Sequence, residues 1–254
     1  MARRRSNLRA WDSPGEAPCR LLLLCPLEFE RAVLTGLRRS RHGCELPDDA
    51  AVEVCGPGSA GVRRWFERFD AAGASPPSAA VLVGTAGGLV RELTAGSAIV
   101  ADRIVDGRGG AWSPSLTSPV DSRRGTILSL DAAATSPREK ARHRERSGAV
   151  AVDLESSTFA EQCEARSWRW GVIRGISDAV ECPLPPQVDR WVDADGRLRV
   201  LPLLASLASS PSTIGMLPGL RRRSHLALAA VAATVEIVVA SPGGITESAR
   251  ESAR

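Results

Sequence analysis

Two carboxylates stand directly after apolar runs in the second half of this chain. Glu155 follows the run AVAVDL at 149–154, and Asp178 follows GVIRGIS at 171–177. A carboxyl group that holds a proton at neutral pH can act as a general acid, and Asp178 is the candidate for that role. A carboxylate that accepts two hydrogen bonds can hold vicinal hydroxyl groups, and Glu155 is the candidate for that role. Asp153 is more simply explained as a cap of the helix that follows.

Glycines follow two other apolar runs. Residues 84–88 read GTAGG, and residues 56–58 read GPG. Glycines allow close approach of the backbone to a ligand, and Thr85 adds a hydroxyl group. Gly56 and Gly58 precede a predicted helix, where backbone amides can approach an anion, although GPG is also typical of a tight turn. GTAGG matches neither a Walker A loop nor a dinucleotide fingerprint.

Two further acids, Glu28 and Glu30, follow the first apolar run, at 21–25. Residues at i and i+2 point to different sides of a helix, so we expect at most one of the two to face a site. The other is then a solvated charge at the start of a helix.

An alternation of strands and helices must position these groups. Apolar runs rich in Val, Ile and Leu predict strands at 21–25, 51–55, 79–83, 97–105, 126–130, 149–153 and 171–176. The spacing of apolar residues predicts a helix over 61–72, and further helices are predicted over 136–146, from 156 and over 224–240. This order predicts a single α/β domain with a mixed, largely parallel central sheet flanked by helices. Ligands of such sheets bind beyond the carboxyl ends of the strands, where the acids and glycines stand.

The composition is that of a globular protein, with 43% hydrophobic and 24% charged residues. The net charge of +4 comes from short arginine clusters, and aromatic residues make up only 4%, which argues against a nucleic-acid partner. Six scattered cysteines without a CxxC pair predict reduced thiols in the cytoplasm and no structural metal site. No apolar run is long enough to span a membrane. We interpret 20–241 as the domain, 1–19 as a disordered basic tail and 242–254 as a loose C-terminal tail.

Lys140 is the only lysine among 33 basic residues. We interpret this as a bias of base composition. The predicted helix at 136–146, which contains Lys140, is so highly charged that we expect it to be exposed.

Taken in order, these segments resemble the nucleoside phosphorylase and 5′-methylthioadenosine/S-adenosylhomocysteine nucleosidase superfamily. The resemblance runs from about 21 to 180 and rests on the acid after the first strand, VGTAGGL at 83–89, AVDLES at 151–156 and IRGISDA at 173–179. It implies a three-layer sandwich that cleaves the N-glycosidic bond of a purine nucleoside. It further implies a homo-oligomer that needs no metal or organic cofactor, with inorganic phosphate as a possible co-substrate.

The resemblance also implies the roles of individual residues. Asp178 would protonate N7 of the leaving purine, and Ser177 would help to place it. Glu155 would bind the ribose hydroxyls, with Leu154 packing on the sugar where the family usually has Met. Other residues would line the sugar and nucleophile pocket, namely Thr85, Ala86 and Gly87, while the segment 131–135 would contribute to the base pocket.

Water and phosphate both remain open as the nucleophile. Glu30 corresponds to the acid that activates water in the nucleosidases, with Glu28 as the alternative. Phosphorylases of the superfamily place an arginine two residues before the VGTAGG glycine, and that position is Leu82 here. This favours water. Against it, GPG at 56–58 resembles a phosphate-approach loop, and three arginines are alternative phosphate ligands: Arg63, Arg64 and Arg91.

Within the superfamily, the chain looks most like the hopanoid-associated phosphorylase group, because CGPG stands at 55–58, LPP at 184–186 and VDADGRLR at 192–199. This implies adenosylhopane as the substrate, with a lipid-linked 5′ group that the loop 107–124 would contact, and a peripheral contact with a membrane. Three tryptophans are candidates for such a surface, although burial in the core is the preferred interpretation: Trp168, Trp170 and Trp191. The alternatives are a 5′-methylthioadenosine or S-adenosylhomocysteine nucleosidase and a family member that binds a nucleoside without turnover.

Overall fold

The computed structural model describes residues 21–38, 50–116, 122–185, 191–199 and 212–240. Both predicted tails and part of the loop 107–124 lie outside these ranges. The described residues form eight strands: β1 (Leu21–Cys25), β2 (Ala50–Val54), β3 (Ala79–Gly88), β4 (Ala98–Asp106), β5 (Ala111–Trp112), β6 (Arg124–Ser129), β7 (Ala151–Asp153) and β8 (Trp170–Asp178). Five helices accompany them: α1 (Glu28–Arg38), α2 (Gly58–Ala71), α3 (Pro137–Ser147), α4 (Ser156–Ala165) and α5 (Ser212–Ala240).

The strands form one mixed sheet whose central part closes on itself. Strand β3 pairs in parallel with β1 and with β8, and β1 pairs in parallel with β2. Strand β8 continues antiparallel to β4, which pairs in parallel with β6, and β6 pairs in parallel with β7. The antiparallel pairing of β7 with β3 closes the ring. This ring of five strands brings the carboxyl ends of β3, β7 and β8 together.

Helices cover both faces of the sheet. In β1, Leu22 and Leu24 belong to one core cluster, while Leu21 and Leu23 belong to another, as the alternation of side chains along a strand requires. The first cluster contains Trp65 and other aromatic residues of α2 and α4, and the second contains apolar residues of α1 and α5. The predicted three-layer α/β architecture is therefore confirmed.

The predicted strands all occur, but the end of β3, the start of α5 and the presence of β5 differ from expectation. The GTAGG segment is not a loop, because it continues β3 and pairs with β8 on one side and β7 on the other. Helix α5 begins at Ser212, 12 residues before the predicted start, and includes Pro218; proline and glycine in that part obscured the helical pattern. Strand β5, only two residues long, was not predicted.

Some expectations about burial are settled by the structure. The three candidate membrane-facing tryptophans are buried, so the preferred core interpretation is confirmed: Trp168, Trp170 and Trp191. The expected exposure of α3 is wrong at Lys140, which is completely buried. The four described cysteines are free thiols. Within the described ranges, the helices lack the combination of length and apolar character needed to cross a membrane.

Helix α5 packs so closely on β8 that a glycine is required at the contact. A Cβ atom added at Gly175 would lie 2.3 Å from the carbonyl oxygen of Ala227. We expect Gly175→Ala to lower the free energy of unfolding by ~1–3 kcal/mol, because the helix must move away from the strand. Urea denaturation measures this change.

Gly215→Ala is the matched control, since Gly215 lies in the same helix and a Cβ there would meet nothing within 4 Å. We expect this control to be neutral or to stabilise the protein by about 0.5–1 kcal/mol. Equal stability of the two variants would contradict the close contact.

Candidate active site

A cavity of about 460 Å³ opens where the carboxyl ends of β3, β7 and β8 meet. Helices α1, α2 and α5 and the segment before α3 complete its wall. Its lining comprises Pro26, Leu27, Glu30, Pro57, Gly58, Thr85, Ala86, Gly87, Asp131, Ala133, Ala134, Val152, Asp153, Leu154, Glu155, Ser177, Asp178, Leu184, Val192, Leu220 and Ser224. The cavity therefore collects, from distant parts of the chain, nearly all the residues to which the resemblance gives a role.

Glu30 lies on the first turn of α1 and is buried against β3. Its Oε1 accepts hydrogen bonds from the backbone N–H of Thr85 at 2.8 Å and from the Thr85 hydroxyl at 2.9 Å. Its Oε2 accepts a hydrogen bond from the backbone N–H of Leu27 at 3.1 Å. Glu28, in contrast, is paired with Arg31 outside the cavity. Of the two acids, the structure therefore directs Glu30 to the cavity.

Arg174 lies behind the cavity floor and joins its carboxylates. The guanidinium is completely buried and donates to Asp153 Oδ2 at 2.8 Å and to Glu155 Oε2 at 2.9 Å. Gly84 makes room for it, since a Cβ there would lie 2.7 Å from Arg174 Nη1 and 2.9 Å from Glu30 Oε2. A buried charge requires a partner, so this cation balances the acids around it.

Glu155 lies at the junction of two helices. It is the residue before α4, and its Oε1 accepts a hydrogen bond at 2.8 Å from the backbone N–H of Gly58, the first residue of α2. The positive end of the α2 dipole thus faces the carboxylate. Asp153 accepts hydrogen bonds from the backbone N–H and the hydroxyl of Ser156, the first residue of α4, while the N-cap position itself is Glu155. Asp153 and Glu155 both line the cavity, and the hydrogen bond from the first residue of α2 goes to Glu155.

Asp178 ends β8 and has both carboxylate oxygens occupied by neighbours. Its Oδ1 lies 2.8 Å from the Ser177 hydroxyl, and its Oδ2 accepts a hydrogen bond from Lys140 Nζ at 2.5 Å. Gly87 leaves space for this carboxylate, since a Cβ there would lie 3.1 Å from Asp178 Oδ2. The only lysine of the chain therefore contacts the candidate general acid, a contact that the sequence reasoning missed.

Burial raises the pKa of two acids of the cavity, Glu30 and Glu155. Burial raises the pKa of Glu30 above its usual value, and Arg174 and the hydrogen bonds from Thr85 only partly offset this. Burial likewise raises the pKa of Glu155 to about 7, against the opposing effect of Arg174. For Arg174, the carboxylates of Asp153 and Glu155 outweigh burial and raise its pKa. A carboxyl group whose pKa is raised toward neutrality is suited to exchange protons at physiological pH.

Three groups of residues that were expected at the site do not line the cavity. Gly56 does not line the cavity; a Cβ there would lie 2.2 Å from the carbonyl oxygen of Ala194, so this glycine permits a packing contact. The alternative phosphate ligands lie elsewhere: Arg63 and Arg91 pair with glutamates, and Arg64 donates to a backbone carbonyl. The described residues of the loop 107–124 do not line the cavity, and Trp112 lines a separate cavity beside it.

Comparisons with known proteins give one family match and many similar folds. The model of the phosphorylase superfamily matches residues 113–201, the part that contains Lys140, Glu155, Arg174 and Asp178. No curated protein sequence matches the chain.

Solved structures of low sequence identity share the fold. The futalosine hydrolase of Helicobacter pylori has a TM-score of 0.58 at 14% identity, over 86% of this chain and 96% of that one. The 5′-methylthioadenosine/S-adenosylhomocysteine nucleosidase of the same organism, bound to butyl-thio-DADMe-Immucillin-A, has a TM-score of 0.57 at 15% identity, over 87% and 99%. The 5′-methylthioadenosine nucleosidase of Arabidopsis thaliana has a TM-score of 0.60 at 13% identity, over 89% and 99%.

The raised pKa of Glu155 has a consequence for stability. Between the usual pKa of 4.5 and about 7, the folded protein holds a proton that the unfolded chain has released, so stability falls as the pH rises through this window. Because Glu155→Gln removes this titration, we expect its free energy of unfolding to fall less steeply with pH than that of the wild type. Urea denaturation at a series of pH values across the window measures both slopes.

Glu161→Gln is the control, because Glu161 is an exposed glutamate of the same helix. We expect it to change the slope less than Glu155→Gln does. A Glu155→Gln protein with the wild-type slope would show that burial does not raise the pKa of the Glu155 carboxyl group.

Proposed function

We propose that this protein is an enzyme that cleaves the N-glycosidic bond of an adenine nucleoside and releases adenine. The observation that carries the proposal is the convergence of Glu30, Glu155 and Asp178 on one cavity. The phosphorylase-superfamily match supports it, since that match includes two of these three acids. The shared fold with enzymes described as nucleosidases and a futalosine hydrolase agrees with it.

Asp178 is the proposed general acid. Breaking the bond between C1′ and N9 leaves negative charge on the purine and positive charge on the ribose. A proton delivered from Asp178 to N7 neutralises the leaving purine, and general acid catalysis of this kind contributes ~10²–10⁴-fold. The Ser177 hydroxyl, 2.8 Å from Asp178 Oδ1, holds the carboxyl group in place. Ala133 and Ala134, which belong to the segment proposed to contribute to the base pocket, line the cavity.

Glu155 is the proposed ligand of the ribose hydroxyls. It lies between Gly58 and Arg174, which fix both of its oxygens. A fixed carboxylate holds the sugar so that its geometry can relax toward the oxocarbenium ion. Leu154, Thr85, Ala86 and Gly87 line the cavity beside it, in agreement with their proposed contacts with the sugar and the nucleophile.

Water is the proposed nucleophile, activated by Glu30. Thr85 and Leu27 orient the Glu30 carboxylate by three hydrogen bonds, and its raised pKa favours proton uptake from water. Phosphate would require positive charge at the cavity surface, and the described residues that line it include no arginine or lysine. The proposed reaction needs no metal or organic cofactor, because proton transfer and charge stabilisation are supplied by side chains.

The proposed substrate carries an apolar group at the 5′ position, with adenosylhopane as the first candidate. Leu27, Leu184, Val192 and Leu220 contribute apolar side chains to the cavity wall. A 5′-methylthioadenosine or S-adenosylhomocysteine substrate is the second candidate, because such nucleosidases share the fold.

Adenine release from each candidate substrate tests the reaction and names the 5′ group. We expect Asp178→Asn to lower kcat by ~10²–10⁴-fold, because the amide cannot deliver the proton to N7. Asp102→Asn, a change at an exposed aspartate of β4, is the control and should retain wild-type activity.

Release of adenine from adenosylhopane alone would select the first candidate substrate, and rapid turnover of 5′-methylthioadenosine would select the second. Folded wild-type protein that releases adenine from neither would contradict catalysis and favour a nucleoside-binding role.

The nucleophile is tested by Glu30→Gln with and without phosphate. We expect wild-type activity to be independent of phosphate, and we expect Glu30→Gln to lower kcat by ~10²-fold or more because a general base is lost. Glu28→Gln, two residues away and outside the cavity, is the matched control. Sugar phosphate among the products, or a rate that rises with phosphate, would contradict hydrolysis.

A further inference from the structure

We propose that Lys140 positions Asp178 and resupplies the proton that Asp178 gives to the leaving purine; this rests on the proposed function. Lys140 is the only lysine of the chain, and its side chain is completely buried although it lies on the charged helix α3. The Lys140 side chain therefore extends into the protein from a helix whose other charged residues are not buried.

The surroundings of Lys140 Nζ fit an ammonium group. Nζ donates to Asp178 Oδ2 at 2.5 Å, to the carbonyl oxygen of Ala179 at 2.8 Å and to that of Cys182 at 3.2 Å. An ammonium group has three N–H donors, and each has one acceptor here. A planar guanidinium distributes its donors over a fork and does not match three acceptors around a single nitrogen. This explains a lysine at one position in a chain that otherwise uses arginine.

Lys140 and Asp178 form a unit separate from the other charges of the cavity. Arg174 pairs with Asp153 and Glu155, and Glu30 is held by Thr85 and Leu27. Within the described residues, Asp178 is the only ion-pair partner of Lys140. A proton that leaves Asp178 is therefore most directly replaced from the ammonium group 2.5 Å away.

The proposed step conserves protons. As the C1′–N9 bond breaks and its electron pair moves to the purine, a proton moves from Lys140 Nζ to Asp178 Oδ2 and Asp178 passes a proton to N7, which leaves Lys140 as a neutral amine beside the Asp178 carboxylate. Water forms the new bond to C1′ and gives its proton to Glu30. After the products leave, Glu30 releases this proton to solvent, and the Lys140–Asp178 pair takes one up. The sum is nucleoside plus water giving adenine and the free sugar.

Lys140→Met tests the proposal, because methionine keeps an unbranched side chain but removes the charge and the proton. We expect kcat on an adenine nucleoside to fall by ~10²-fold or more, with KM changed by less than ~3-fold. We also expect Lys140→Met to cause little further loss in an Asp178→Asn background, since residues that act as a unit are non-additive. Arg142→Met, which removes an exposed charge from the same helix, is the matched control.

A change of leaving group separates proton supply from a structural role. The 4-nitrophenolate of a nitrophenyl riboside leaves without protonation. We expect Lys140→Met to cleave this substrate within ~3-fold of the wild-type rate while cleavage of the adenine nucleoside fails. Equal losses on both substrates, or restoration of adenine release by Lys140→Arg, would overturn proton supply, because arginine keeps the charge but holds its proton. If the wild type does not cleave the riboside, the double variant decides. A large further loss of kcat when Lys140→Met is added to Asp178→Asn would then overturn proton supply.

Failure of the inference and failure of the proposed function give different results. Wild-type protein that releases no adenine would contradict the proposed function. Wild-type activity that survives in Lys140→Met would contradict the inference alone.

An NMR measurement on the wild type does not depend on the folding of Lys140→Met. Because the chain has one lysine, labelling with ¹⁵Nζ-lysine gives a single side-chain signal. We expect a correlation protected from exchange with water that moves in Asp178→Asn. A signal that exchanges freely and ignores this substitution would overturn the contact and with it the proposal.

Discussion

The arrangement of the site depends on one buried cation. Arg174 has no exposed surface, yet it reaches Asp153 and Glu155 directly, and its charge partly offsets the burial that raises the pKa of Glu30. Without it, these carboxylates would be buried in mutual repulsion, and removal of one partner of a buried ion pair typically costs about 3–5 kcal/mol. The guanidinium therefore fixes the acids of two separate elements, β7 and the start of α4, relative to one another.

The glycines of β3 create the space that this arrangement needs. Gly84 lies against the Arg174 guanidinium and the Glu30 carboxylate, and Gly87 lies against the Asp178 carboxylate. A side chain at either position would occupy the volume in which charged groups meet. The GTAGG part of the strand thus contributes backbone hydrogen bonds to β7 and β8 and empty volume to the cavity. The candidate catalytic groups stand on regular elements beside this strand, since Asp178 ends β8 and Glu30 lies in the first turn of α1.

The sequence allowed the fold and most of the cavity acids to be predicted, because both follow from local patterns. Apolar runs predicted the strands, and an acid directly after a strand end identified Glu155 and Asp178. Lys140 was missed because its burial is decided by the packing of α3 against the end of β8, which no periodicity in a highly charged helix reveals. Its status as the only lysine was the one available signal. The strand that contains GTAGG was predicted to end at residue 83, because strand pairing on both sides of this segment is a tertiary property.

The site is assembled from contacts between residues that are far apart along the chain. Glu30 binds Thr85 across 55 positions, Arg174 reaches Val83 across 91, and Gly58 donates to Glu155 across 97. Contacts of such high sequence separation form late, since the entropy of closing long loops opposes them. No short segment of the chain can reproduce any part of this site. Recovery of function after denaturation would therefore report completion of the whole sheet. Recovery of the helical signal would report only the helices, whose hydrogen bonds join residues close together in the sequence.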